Sequence, residues 1–285
     1  MISIITPTYN RAHILSRAIK SVLNQTFLDW ELIIVDDGSA DNSKELVLSF
    51  NDSRIQYVYQ ENKGVCFARN HGASIAKGEY ITFLDSDDYV TPFWLNNFNE
   101  ILSSKKSDII FCDMDVIDLN KNTKKTVRAL YPFLENKYSE DGLYLAGTFC
   151  IKNSFFKELE GFDENIKFGE FTEFSFRCMK KNPSKSFTQR NGFIYEASQE
   201  GSRNSHNKIE ANLYIINKHD WFFKLYPHAL RLYFQNIGVA YSRLSNWSQA
   251  RLFFWKAYCI QPWKFKTLIR FFISFYPYFA KKIIK

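Results

Sequence analysis

Several signatures of common protein classes are missing from this sequence. Its five cysteines are odd in number and widely spaced, with no Cys-x-x-Cys pair, which argues against a disulfide framework and a zinc ribbon. There is no GxGxxG or GxxxxGK[ST] segment, so a dinucleotide fingerprint and a P-loop are both absent. The five histidines lack metal-ligand spacing, and no GxSxG segment indicates a nucleophilic serine. Buried thiols in a reducing compartment are expected.

The sequence also lacks an apolar run of the ~20 residues that are needed to span a bilayer. The nearest candidate, FFISFYPYFA, is too short and contains Pro277. The first residues, MISIITPTYNR, do not combine a basic segment with a long apolar one, as a signal peptide does. These features predict a cytoplasmic protein.

Acidic residues are absent after Asp220, whereas eleven basic residues follow it. The preceding residues carry 26 basic and 30 acidic side chains, so a mildly acidic body precedes a basic end. Within that end, residues 263–285 mix Lys and Arg with Trp, Phe and Tyr, which is typical of interfacial segments. This pattern predicts peripheral contact with the inner face of the cytoplasmic membrane, and the alternative is a helical subdomain whose aromatic residues are its core. Nucleic acid is not an expected partner, because nothing in the body matches a nucleic-acid-binding module.

Short apolar runs alternate with helix-length segments over the first hundred residues. The runs ELIIVDD and YITFLDSDD end abruptly in acid, as buried parallel strands do. This alternation predicts an α/β fold with a mainly parallel sheet between helices, and ligands bind such sheets beyond the carboxyl ends of the strands. From about residue 208 the pattern is helical. The predicted strands are Ser3–Thr6, Glu31–Val35, Ile55–Tyr59, Tyr80–Leu84 and Asp108–Cys112, and the predicted helices are 12–25, 41–50, 65–77 and 93–104.

Carboxylates cluster at two of these strand ends. VDDGS places Asp36 and Asp37 after one strand, and FLDSDDY places Asp85, Asp87 and Asp88 after another. Three carboxylates within four residues repel one another, and a divalent cation relieves that repulsion. The second cluster is therefore interpreted as a Mg²⁺ or Mn²⁺ site, with a solvated turn as the alternative.

The segment KGVCFARNHG supplies two basic residues, Lys63 and Arg69, between these clusters. Gly64 and Gly72 are expected at bends of the chain. Arg69 is either part of the site or an ordinary charge on the surface of a helix.

Five segments in this order strongly resemble the inverting family-two glycosyltransferases of GT-A fold. They are PTYNR, SVLNQTF, ELIIVDDGSADNS, NKGVCFARNHG and GEYITFLDSDDYVTP, and the resemblance covers roughly residues 1–180. It implies a GT-A, Rossmann-like mixed sheet flanked by helices and followed by a C-terminal helical extension. The implied catalytic domain is 1–207, with a nucleotide-sugar-binding part at 1–115 and an acceptor-side part at 116–207. Residues 208–285 are the basic, aromatic-rich extension.

The resemblance also implies roles for individual residues. Pro7, Thr8 and Tyr9 would line the nucleotide base, Asp37 would accept the uracil imide hydrogen, and Arg69 would lie near the donor. Asp85-Ser86-Asp87 matches the family's DxD motif, in which Asp85 would face the ribose and Asp87 would hold Mn²⁺ or Mg²⁺. Asp88 is expected to support the loop. The implied donor is a nucleotide diphosphate sugar, expected to be UDP-linked.

An inverting transfer also needs a base that deprotonates the acceptor hydroxyl. In GFDENIKFGEFTEFSFR, counting back six residues from Arg177 places Phe171 where similar enzymes have this base, and a phenyl ring takes no proton. Three interpretations remain. In the first, Glu170 is the base. In the second, Glu173 or another residue is the base, although Glu173 is well placed for an ion pair with Arg177. In the third, the chain transfers the sugar poorly or not at all.

The predicted function is metal-dependent transfer of a hexosyl or N-acetylhexosaminyl group to a glycan or lipid-linked glycan of surface polysaccharide synthesis. The alternative is a catalytically silent, nucleotide-sugar-binding partner of another transferase.

Overall fold

The computed structural model describes residues 1–118, 123–127, 145–196 and 204–278. Their backbone divides into two compact units. The first holds residues 1–165 and 170–199, and the second holds residues 166–169 and the chain from 200 onward. The division predicted from the sequence, 1–207 and 208–285, stays a prediction.

Within the described residues, the first unit contains one nine-stranded sheet. The strands are β1 (Ile2–Thr8), β2 (Trp30–Asp36), β3 (Ile55–Tyr59), β4 (Tyr80–Phe83), β5 (Tyr89–Val90), β6 (Ile109–Asp118), β7 (Thr123–Val127), β8 (Phe149–Lys152) and β9 (Lys185–Glu196). Their order in the sheet is β3-β2-β1-β4-β8-β6-β9-β5, and β7 pairs with β6. Neighbouring strands from β3 to β4 are parallel, as are β6 and β9, whereas β8 is antiparallel to both neighbours. The predicted α/β, mainly parallel fold is confirmed.

Helices cover both faces of this sheet, which explains the continuous apolar runs. In β2, Leu32 and Ile34 join the core beneath α1 and α4, whereas Ile33 and Val35 pack on the opposite face with Ala68 of α3. Because both faces are buried, the strand carries no polar alternation. The helices of this unit are α1 (Ala12–Leu23), α2 (Ser43–Leu48), α3 (Val65–Ile75), α4 (Trp94–Ser104), α5 (Asn153–Glu158) and α6 (Glu170–Lys181).

The two glycines expected at bends differ in the structure. Gly64 directly precedes α3 with φ of 96°, a conformation that glycine adopts without strain. Gly72 lies inside α3, so the expected bend there is wrong. A Cβ at Gly72 would lie 2.5 Å from Cγ2 of Ile5, so the missing side chain lets the helix pack closely on β1.

The second unit is helical over its described residues. Two consecutive helices of this unit, α9 (Pro227–Arg243) and α10 (Trp247–Ile260), pack closely against each other. Gly238 leaves room for the ring of Phe254, because a Cβ at Gly238 would lie 2.6 Å from that ring. None of the described helices has the length and apolar character required to cross a membrane. The helices are α7 (Ser205–Lys218), α8 (Asp220–Leu225), α9 (Pro227–Arg243), α10 (Trp247–Ile260) and α11 (Phe265–Ile273).

Candidate functional site

Asp37 lies just beyond the carboxyl end of β2 and is buried. Its Oδ1 accepts hydrogen bonds from Nε2 of Gln60 at 2.7 Å and from the backbone N–H of Lys63 at 2.9 Å. Its Oδ2 accepts the backbone N–H of Gly64 at 2.9 Å. These three donors hold the carboxylate in place at the start of α3.

Gln60, which sequence reasoning missed, is the side chain that connects this carboxylate to α3. Its Oε1 lies 2.8 Å from Nδ1 of His71, while its Nε2 donates to Asp37. An isolated Gln after a strand carries no motif, and the contact joins residues 23 positions apart. The signal that could have found it is its place at the end of β3, beside the end of β2.

The end of β1 lies beside the end of β2 in the sheet, with Thr8 opposite Asp36. Thr8 is buried, and its Oγ1 has no hydrogen-bond partner among the described residues. Tyr9, the next residue, is half exposed. A buried, unpaired hydroxyl costs free energy, and a bound polar ligand would offset that cost. Pro7, Thr8, Tyr9 and Asp37 therefore lie at one edge of the sheet, as expected for neighbouring parallel strands.

The DxD segment follows β4 and presents its two acids differently. Asp85 is partly exposed and accepts a hydrogen bond from Nη2 of Arg69 at 2.7 Å. Asp87 is exposed, and its backbone carbonyl accepts Nη2 of Arg17 at 2.6 Å. No described side chain pairs with the carboxylate of Asp87, which leaves its oxygens available to a ligand.

A metal held by protein groups alone is not supported here. Within the described part of the chain, no group of three His, Cys, Asp or Glu side chains is close enough to bind one. Mg²⁺ is commonly bound by one or two carboxylates together with substrate phosphates. The exposed carboxylate of Asp87 fits that arrangement, so the residues present are compatible with a metal that arrives with the donor.

Arg69 joins residues 84–88, the loop that carries the DxD segment and is named the donor loop below, to helix α6. Its guanidinium is buried and donates to Asp85 and, through Nη1 at 2.9 Å, to Oε1 of Glu170. Burial alone would lower the pKa of Arg69, but the charges of Asp85 and Glu170 outweigh that effect and raise the pKa above its ordinary value. The guanidinium is therefore a permanent cation between two carboxylates. Its Nε is buried without a hydrogen-bond partner among the described residues.

Phe171 is the residue that stands at the position where the sequence resemblance predicts a base. Its ring is 8% exposed and packs edge-on against Phe162 and Phe149, at centroid distances of 5.1 and 6.1 Å. The guanidinium of Arg69 lies 4.6 Å from the centroid of the ring. Phe171 therefore forms an apolar wall beside the Arg69 bridge, where it contributes packing and a cation–π contact.

Glu170 and Glu173 both begin helix α6 but have different surroundings. The side chain of Glu170 is 18% exposed, and its Oε2 has no hydrogen-bond partner among the described residues. Glu173 is fully buried, and Arg177 donates to both of its carboxylate oxygens at 2.7 to 3.0 Å. The predicted ion pair between Glu173 and Arg177 is confirmed. Solvent therefore reaches the side chain of Glu170, whereas Glu173 is enclosed with its partner Arg177.

The structure thus brings most of the predicted site residues together. Asp85, Arg69 and Glu170 form one chain of ion pairs, and Asp37 lies at the end of β2, which β1 separates from β4 in the sheet. Glu173 lies on the same helix as Glu170 but in a separate, closed ion pair. The roles of these residues in binding and catalysis stay predictions.

Comparison with known proteins relates this arrangement to one family. Residues 3–159 match the model of "Glycosyl transferase family 2". The chain is 41% identical to the "Glycosyltransferase GlyG" of Streptococcus pneumoniae, over 39% of this chain and 38% of that protein. It is 42% identical to "UDP-Glc:alpha-D-GlcNAc-diphosphoundecaprenol beta-1,3-glucosyltransferase WfgD" of Escherichia coli, over 43% of this chain and 48% of that protein. The chain spans less than half the length of these two curated relatives.

Solved structures share the fold. The crystal structure of S. aureus TarS 1-349 matches with a TM-score of 0.61 at 21% identity, over 76% of this chain and 65% of that chain. The same TarS segment in complex with UDP-GlcNAc matches with a TM-score of 0.59 at 21% identity, over 76% of this chain and 66% of that chain.

Proposed function

Because the chain belongs to glycosyl transferase family 2, we propose that it transfers a sugar from a nucleotide diphosphate donor to a glycan or lipid-linked glycan. The observation that carries this proposal is the Arg69 bridge, which joins Asp85 of the donor loop to Glu170 on helix α6. Arg69 thereby holds Asp85, which is proposed to bind the donor, close to Glu170, whose carboxylate solvent can reach. The group transferred is a hexosyl or N-acetylhexosaminyl group, and the product belongs to surface polysaccharide synthesis.

A UDP-linked donor is supported by three observations. Asp37 is a buried hydrogen-bond acceptor at the end of β2, Thr8 offers an unpaired hydroxyl beside it, and Asp85 is partly exposed on the next strand end. These groups suit the imide of uracil and the hydroxyls of ribose. A curated relative is named for transfer from UDP-Glc, and TarS has been crystallised with UDP-GlcNAc.

The free carboxylate of Asp87 would hold Mn²⁺ or Mg²⁺. The metal, when bound with the donor diphosphate, supplies positive charge that stabilises the leaving group. Asp85 remains paired with Arg69 and is available to the ribose through its exposed edge. The two acids of the DxD segment thus have separate tasks.

Glu170 takes the proton in this proposal. The acceptor hydroxyl forms a bond to the anomeric carbon, the nucleoside diphosphate leaves with the electron pair of the broken C–O bond, and the proton goes to Oε2 of Glu170. Arg69 holds Oε1 and so fixes the direction of the other oxygen. Attack from the face opposite the leaving group inverts the anomeric configuration.

A second candidate is favoured by the buried ring of Phe171. If Glu170 serves only to pair with Arg69, the chain is a weak or silent nucleotide-sugar-binding partner of another transferase. Binding of a donor without its hydrolysis or transfer would support this candidate. Metal-dependent hydrolysis of the donor would support the first.

A thermal-shift screen of nucleotide sugars with and without Mn²⁺ tests the proposal, because a bound donor raises the unfolding temperature by mass action. We expect a UDP-sugar to stabilise the protein in a metal-dependent manner. The stabilising donor, in radiolabelled form, is then incubated with lipid-linked glycan extracts. Absence of stabilisation by every nucleotide sugar would contradict the proposal.

The basic end of the chain is proposed to contact the inner face of the cytoplasmic membrane. Phe265, Ile269 and Phe272 recur along one face of α11 and are 54 to 69% exposed. Lys264 and Lys266 are exposed on either side of Phe265. Each basic residue near an anionic leaflet contributes ~1 kcal/mol to the free energy of membrane binding. Residues 279–285, which belong to the predicted membrane segment, lie outside the described residues.

Vesicle sedimentation tests this contact. We expect the protein to sediment with vesicles containing anionic lipid and to lose about tenfold in affinity when Ile269 and Phe272 are both changed to Ser, because the apolar contact is removed. Phe93→Ser is the matched control, since Phe93 is 58% exposed and Phe272 is 57% exposed. Equal sedimentation of the α11 variant and the control would contradict the membrane proposal.

A further inference from the structure

A cavity lies on the surface of the first unit, between helix α1 and strand β5. Its volume is about 850 Å³, within the range of cavities that bind small ligands. Six of its lining residues carry the argument: His13, Arg17, Lys20, Tyr89, Val90 and Pro92. Apart from Arg17, which contacts the backbone carbonyl of Asp87, none of them belongs to the site described above.

The wall between α1 and β5 is fixed by hydrogen bonds. The backbone N–H of Val90 donates to Oγ of Ser21 at 3.3 Å, and Nε2 of Gln25 donates to the carbonyl of Thr91 at 2.7 Å. The backbone N–H of Thr26 donates to the carbonyl of Pro92 at 2.9 Å. The cavity is therefore built from anchored backbone, so it needs no rearrangement before a ligand enters.

The exposed face of α1 gives the cavity a basic side. His13, Arg17 and Lys20 recur at intervals of four and three residues and are exposed, which places them along one stripe of the helix. No carboxylate occurs among the lining residues that the structure describes. Tyr89, Val90 and Pro92 supply an apolar side opposite. Such a cavity suits a ligand with an anionic head and an apolar or sugar body.

The cavity is also connected to the DxD loop. Arg17 donates to the backbone carbonyl of Asp87 at 2.6 Å, and its guanidinium lies 4.5 Å from the ring centroid of Tyr89. Tyr89 follows the loop by one residue. A ligand that contacts Arg17 would thus lie next to the backbone of the proposed metal-holding residue.

We propose that this cavity binds the phosphoryl group of the acceptor. The proposal rests on the function proposed above, and it assigns the acceptor to the class of phosphate-linked lipids. Lys20 and His13 contact the phosphoryl oxygens, and the apolar side accepts the adjoining chain. The donor site then takes the nucleotide while α1 holds the acceptor's anionic end.

Calorimetric titration with geranyl diphosphate tests this site, with Mn²⁺ and UDP both at saturation so that the donor site is filled. We expect binding by the unmodified protein and about tenfold weaker binding by Lys20→Gln, because a charge-assisted hydrogen bond is lost. His13→Gln supplies a second variant on the same stripe. Lys105→Gln, at the exposed end of α4, is the control and should bind normally.

Three results would overturn the proposal. They are equal affinity of Lys20→Gln and the unmodified protein, loss of geranyl diphosphate binding when UDP is added, and equally tight binding of inorganic pyrophosphate. The last would assign the cavity to free phosphates. UDP affinity is measured in each variant, so failure of the donor site would be seen separately from failure of this cavity.

Discussion

On the donor side of the candidate site the acids follow β-strands, whereas on the opposite side they lie in the first turn of helix α6. Asp37 is held by three donors from a neighbouring loop and the end of β3, and Asp85 is held by Arg69. On the helix, Glu170 is held through one oxygen, and the adjacent Phe171 is packed among aromatic rings.

This difference shows how strongly each scaffold fixes the direction of a side chain. At the strand ends, parallel pairing brings separate segments to one edge, and backbone N–H groups complete the contacts. On a helix, one step along the chain turns the side chain by roughly 100°. Phe171 therefore points into the aromatic cluster, while Glu170 faces Arg69. Arg69 thereby holds Glu170 beside Asp85, although Glu170 stands one residue before the position at which the sequence predicts a base.

The largest expected effect is on the donor side. Asp87→Ala should abolish Mn²⁺-dependent binding of the nucleotide sugar, because the exposed carboxylate proposed to hold the metal is removed. Thermal shift with UDP-sugar, with and without Mn²⁺, measures the loss.

Asp29→Ala is the control for this variant, since Asp29 precedes β2 at the amino end of the strand and is 65% exposed. It should keep the full metal-dependent shift. Unchanged donor affinity in Asp87→Ala would reject the metal assignment and leave the DxD segment as a turn.

The next effect concerns the helix side. Glu170→Gln should lower the rate of sugar transfer about 10²- to 10⁴-fold, the usual contribution of a general base. The amide oxygen can still accept the hydrogen bond from Arg69, so UDP affinity should stay unchanged. Transfer of radiolabelled sugar and UDP titration are measured together.

Glu158→Gln is a matched control, because Glu158 is an exposed carboxylate paired with Lys181 at 2.9 Å. It should transfer normally. If the transfer rate of Glu170→Gln is within twofold of that of the unmodified protein, the base lies elsewhere. The strand-end side and the helix side would then differ only in how their side chains are packed.

The sequence predicted the donor side better than the helix side, for a physical reason. Apolar runs that end in Asp37 and Asp85 mark buried strand ends, and parallel order then places those ends together. The ion pair between Arg69 and Glu170 spans 101 positions, and neither residue carries a local signal for it. The antiparallel insertion of β8 likewise depends on long-range pairing that no periodicity in the strand reveals.

Gln60 offers the smallest and most specific test of the donor side. Gln60→Leu removes the donor to Oδ1 of Asp37 but leaves the two backbone donors, so the carboxylate stays paired while its orientation is less fixed. We expect UDP affinity to fall about two- to tenfold, in keeping with the ~0.5–1.5 kcal/mol that a typical intramolecular hydrogen bond contributes net. The maximal transfer rate should not change, because Glu170 and Asp87 are untouched. Gln56→Leu, on the exposed side of β3, is the control and should bind UDP normally. If Gln60→Leu also binds UDP normally, the two backbone donors alone position Asp37.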